Sequence, residues 1–112
     1  MKKIKSLAAT ILFALLAFPV FAQDHYPEYM QMARKAFDSG KYDLAIAYYE
    51  SALDDKHDYW PAYQGIGTCF YLKGRKKEAL KAFEKALKIN PGNARLAAFV
   101  ENLRRQLAAS SN

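Results

Sequence analysis

From Tyr26 onward, apolar residues return at steps of three and four, the period that lines one face of a helix. Tyr29, Met32, Ala33, Ala36 and Phe37 form one such series, and Ala45, Tyr48, Tyr49, Ala52 and Leu53 form a second. The pattern then repeats. Displacing the chain by 34 positions pairs Pro27 with Pro61, Tyr29 with Tyr63, Gly40 with Gly74, Ala45 with Ala79, Glu50 with Glu84, Ala52 with Ala86 and Leu53 with Leu87, without a gap. Chemistry is kept at further pairs in the same frame, including Tyr26 with Trp60, Met32 with Ile66, Ala33 with Gly67, Phe37 with Tyr71 and Tyr49 with Phe83. A duplicated unit of two helices is expected, spanning 26–59 and 60–93.

The punctuation agrees with that division. Gly40 and Gly74 stand where the first helix of each unit should stop, since the residue just past a helix end often takes a left-handed conformation that glycine adopts without steric cost. Pro27 and Pro61 suit a first helical turn, where the missing N–H forfeits no bond. Asn90-Pro91-Gly92-Asn93 is a turn cluster. Beyond it a fifth helix is predicted over 94–108, with Leu96, Phe99, Val100, Leu103 and Leu107 on one face, and 109–112 is expected to fray. Within each unit, Ala33 or Gly67 should face Ala45 or Ala79, because helix axes approach to about 8–10 Å only when small residues sit at the crossing. Ala52 and Ala86 should play that part between units. The fold class expected is all-α, a right-handed α-solenoid of two helix-turn-helix units and a capping helix, occupying 23–109.

The first 22 residues read differently. Met1–Lys5 carries three lysines, Ser6–Ala22 is uncharged with an apolar heart from Leu7 to Phe18, and Val20 and Ala22 place small residues before Gln23 at the spacing a signal peptidase reads. Cleavage after Ala22 is expected, giving a protein exported to the periplasm or beyond. The alternative, an uncleaved membrane anchor, needs roughly 20 apolar residues, more than this run offers.

Removing the leader alters the charge. The full chain of 112 residues carries +6, but three of its 17 basic residues lie in the leader, so Gln23–Asn112 carries +3. That charge is polarised: Gln23–Tyr59 has 4 basic and 8 acidic residues, Trp60–Asn112 has 10 basic and 3 acidic. The basic residues alternate with Ala, Leu and Glu at helical spacing, which reads as a solvated helix face, and export argues against a nucleic-acid partner.

The second unit, with Tyr63, Ile66, Gly67, Phe70, Gly74, Ala79, Phe83, Ala86 and Pro91 in register, resembles the tetratricopeptide repeat. The first unit matches at Tyr29, Met32, Ala33, Gly40, Ala45, Tyr49 and Ala52 but carries Ala36 where a large aromatic is usual and His57 where a proline is usual. The resemblance implies a concave surface, lined by the first helix of each unit, that holds an extended peptide or a partner helix. By position the lining would be Met30, Arg34, Phe37 and Asp38 from the first unit and Gln64, Thr68, Tyr71 and Leu72 from the second, extended by Arg95 and Asn102. Relatives that grip a C-terminal carboxylate use a Lys and Asn clamp; here Met30, Arg34 and Gly65 stand at clamp positions, so that specialised activity is not expected.

Other chemistry is scarce. Cys69, the one cysteine, cannot form an internal disulfide and is read as a small buried hydrophobe, with an intermolecular bridge as the alternative. His25 and His57 lack metal-ligand spacing. No phosphate loop, nucleophile elbow or placed base is present, so neither cofactor, metal nor enzyme activity is expected. Tyr59 and Trp60 are expected to staple the junction between units. Two readings follow: an exported adaptor that binds a protein or peptide, and a subunit that assembles head to tail by stacking its acidic half on a neighbour's basic half.

Overall fold

The computed structural model describes residues 24–111; the expected leader, 1–22, lies outside the described residues. Five α-helices follow in order: α1 Tyr26–Asp38, α2 Tyr42–Asp55, α3 Trp60–Leu72, α4 Lys76–Ile89 and α5 Ala94–Ser110. The last runs through Ala109 and Ser110, two residues beyond the expected end, and the hydroxyl of Ser110 donates to the Leu107 carbonyl at 3.0 Å. Helices α1 and α2 form one antiparallel pair, α3 and α4 a second, and α5 packs on α4.

Each pair turns on its glycine. Gly40 and Gly74 have φ of +73° and +80°. The Gly40 amide donates to the Phe37 carbonyl at 2.9 Å and the Lys41 amide to Ala36 at 2.9 Å; Gly74 to Tyr71 at 3.0 Å and Arg75 to Phe70 at 2.9 Å repeat the arrangement. These paired bonds satisfy carbonyls that the helix end leaves open, and they reverse the chain within three residues. Pro27 and Pro61 sit in the first turns of α1 and α3. The opposite end of the first pair is tied by Asp55, whose carboxylate accepts from the His25 amide at 2.8 Å, so an acid at the end of α2 satisfies the start of α1.

Small residues sit where the helices cross. Ala33, Ala45, Ala52, Ala79 and Ala86 are all fully buried, and the large side chains fill the flanks. Two apolar clusters result, one built on α1, α2 and α3 with Ala82 of α4 and the other on α4 and α5, and Phe70 packs against both. That ring couples the second pair to its two neighbours. At the junction of the pairs Tyr59 packs against Tyr26 with centroids 5.0 Å apart and the rings tilted by 53°, and Lys56 Nζ lies 5.0 Å and 5.3 Å from the two rings. No helix among the described residues is long and apolar enough to cross a membrane.

Candidate functional site

The open end of the second pair, where α5 takes the place of a further first helix, holds a cleft of about 310 Å³. Its lining comes from three elements and one turn: Gln64, Thr68 and Tyr71 from α3, Phe83 from α4, Asn93 from the turn, and Arg95, Leu96 and Phe99 from α5. Gln64, Thr68 and Tyr71 recur at steps of four and three, so α3 presents them as one stripe.

The floor is aromatic. Phe99 meets Tyr71 edge-on at 5.4 Å and Phe83 edge-on at 5.2 Å, an arrangement that aromatic quadrupoles favour. Phe83 is itself pinned, because Gly67 leaves room for its ring against α3. Around this floor stand polar groups with assigned duties. Thr68 Oγ1 donates to the Gln64 carbonyl at 3.0 Å, which fixes the hydroxyl on the helix. Asn93 Oδ1 accepts from the Leu96 amide at 3.1 Å, capping α5, and Asn93 is itself part of the cleft lining. Arg95 is exposed at the rim, and Lys76 Nζ stands 5.9 Å from the centre of the Tyr71 ring. No acidic residue lines the cleft, so its charge is positive.

Of the residues the sequence singled out, the cleft brings together Gln64, Thr68, Tyr71 and Arg95. The others lie elsewhere. Met30 is 6% exposed and belongs to the first core cluster; it packs the helix crossing and does not line a surface, which corrects its placement in the groove. Phe37 is half-buried and edge-on to Tyr42 at 5.5 Å. Arg34 and Asp38 are exposed on α1 near Tyr49, whose phenol is pushed up first by burial and next by Cys69, with Arg34 opposing the rise and Asp38 adding to it. Leu72 is exposed at the end of α3, and Asn102 is exposed two turns beyond Arg95 and outside the cleft.

Sequence reasoning did not place Phe83, Asn93, Leu96 and Phe99 in the site. Three carry the signal of a core position and one that of a turn. A clue lay in the 34-residue offset, which aligns Phe99 with Gly65 and so marks a bulky ring where the preceding junction has none.

A family model for the tetratricopeptide repeat matches residues 30–94, more than half of the chain. The chain belongs to the tetratricopeptide repeat family. Among curated proteins it is similar to the tetratricopeptide repeat and J domain-containing co-chaperone DNJ1 of Cryptococcus neoformans, with 30% identity over 95 residues. That alignment covers 82% of this chain and 18% of the relative, so the chain spans less than a fifth of that protein. Among solved structures it is similar to the first TPR of Spaghetti (RPAP3) bound to the HSP90 peptide SRMEEVD, with a TM-score of 0.69 and 21% identity, covering 76% of this chain and 68% of that one. At that identity the likeness speaks to the tetratricopeptide fold alone. The five helices and the glycine-closed pairs are that fold.

Proposed function

We propose that this tetratricopeptide chain is a non-enzymatic protein-interaction module that holds a peptide or partner helix in the cleft between α3 and α5. The observation that carries the reading is the cleft itself: an aromatic floor of Tyr71, Phe83 and Phe99 ringed by Gln64, Thr68, Asn93 and Arg95. Its volume takes one or two apolar side chains, its amides and hydroxyl suit a peptide backbone, and Arg95 suits a carboxylate beside the apolar anchor. The co-chaperone relative and the peptide-bound structural neighbour support the class of partner. The leader pattern of 1–22 adds export to the reading, with the mature chain beginning at Gln23.

Selection of a random peptide library on the purified chain tests it. Selected peptides are expected to share an apolar residue next to an acidic one, and to lose affinity at least about tenfold with Tyr71→Ala and with Arg95→Glu. Peptides that bind both variants as tightly as the wild type would move the site elsewhere. Mass spectrometry of the exported protein's N-terminus tests the cleavage.

A further inference from the structure

The 34-residue offset that relates the two helix pairs also relates their outer faces. In the second pair, the surface over α3 and α4 that lies beside α2 is lined by Tyr63, Phe70 and Ala82 and, at four further places, by Ile66 and the charged Glu78, Lys81 and Lys85. Thirty-four residues earlier those four places hold Met32, Leu44, Ala47 and Ser51. Every charge has gone. Ile66 is 7% exposed under α2, whereas Met32 is 42% exposed and Leu44 43%, since no helix among the described residues precedes α1. The other exposed large hydrophobics, Leu72 and Ile89, stand singly at the ends of α3 and α4.

We propose that this face is a homodimer interface in which two copies cross α1 against α1, antiparallel, on a two-fold axis beside Met32. Two observations name the second copy as the occupant. The first is charge. Glu28 stands one turn before Met32 and Lys35 one turn after, both exposed, so the antiparallel crossing sets Glu28 of each copy against Lys35 of the other. Lys35 has no ionic partner among the described residues, and Glu28 has only the exposed His25 at 3.8 Å. The second is the opposite end of the molecule. The exposed positions of α5 are Ala, Arg, Glu, Asn, Gln and Ser, so outside the aromatic cleft that end offers no apolar surface to match Met32 and Leu44 together, and the matching surface is the same face of a second copy. Such a contact is self-complementary and closes at two subunits. It is independent of the peptide cleft, which lies at the far end of the array.

Sedimentation equilibrium on the chain expressed with its own leader, with the purified N-terminus read by mass spectrometry, tests the proposal. A reversible dimer is expected. Glu28→Lys and Lys35→Glu should each raise the dissociation constant about tenfold, and the double exchange should restore it. Met32→Glu, on an exposed position, should give a monomer with an unchanged circular dichroism spectrum. A monomer at all concentrations, with or without a retained leader, would overturn the proposal. So would a ladder beyond the dimer, which is the head-to-tail outcome, or a dimer indifferent to these substitutions.

Discussion

The ring of Tyr49 occupies the space that a side chain at Gly65 would need. A Cβ there would stand 2.6 Å from Tyr49 Cε2 and 2.7 Å from Cε1, well inside contact distance, and the ring is 6% exposed with nowhere to retreat. Gly65 therefore sets how closely α3 approaches α2. Thirty-four residues on, Phe83 and Phe99 stand in these two places and meet edge-on instead, which helps make the floor of the cleft. Gly65→Ala is expected to cost about 2 kcal/mol by overpacking, read from urea denaturation. Adding Tyr49→Leu should recover part of the loss, and a single variant as stable as the wild type would refute the close approach.

How much of this was legible follows from which residues carry period and which carry distance. Gly40 and Gly74 announced their turns because a chain reversal needs a left-handed residue, a local demand written at one position. The helices were legible from their three- and four-residue steps, and Ala33, Ala45, Ala79 and Ala86 from their recurrence. Gly65 was not, since it answers to a ring on another helix, and its counterpart in the other frame is Gln31. For the same reason Phe83 and Phe99 read as core: burial and cleft floor call for the same aromatic side chain. Met30 went the other way, its helical position suggesting a lining that the crossing of α1 and α2 absorbs.

The turn glycines should behave unlike Gly65. Nothing lies within 4 Å of a Cβ at Gly40 or Gly74, so substitution there meets only the backbone cost of a positive φ. Gly40→Ala and Gly74→Ala are each expected to destabilise by about 1 kcal/mol, and the asparagine variants by less, because Asn tolerates the left-handed region. Parallel urea titrations of the four proteins check the ranking.

Asn93 joins stability to the site. Its Oδ1 satisfies the Leu96 amide in the first turn of α5, so Asn93→Ala should cost about 1 kcal/mol, while Asn93→Asp keeps an acceptor and should retain the cap. Both remove the side-chain amide donor that Asn93 brings to the cleft lining. The expected signature is divergence: the aspartate variant stays stable yet binds a selected peptide more weakly, measured by calorimetry beside thermal melts. Equal affinity for the wild type and the aspartate variant would take Asn93 out of the site.

Cys69 should make the fold sensitive to alkali. It is fully buried, and that burial, opposed by Lys73 and aided by Asp43, pushes its thiol up from 9.0 to about 11. Well below pH 9.0 the thiol is neutral in both folded and unfolded chains and stability does not depend on it. Above that, the unfolded chain releases the proton while the native chain holds it, so stability falls as pH rises toward the folded value, by at most about 2–3 kcal/mol. Burial also raises the Tyr49 phenol, with Cys69 next in effect, so some alkaline loss should persist without the thiol. Cys69→Ala is therefore expected to flatten, without abolishing, the fall in urea midpoint between neutral pH and the folded value. The same burial should keep the native thiol slow to alkylate and quick once denatured. Rapid native alkylation, or an alkaline slope unchanged in the alanine variant, would show that the side chain is reached by water and does not belong to the core between α2 and α3.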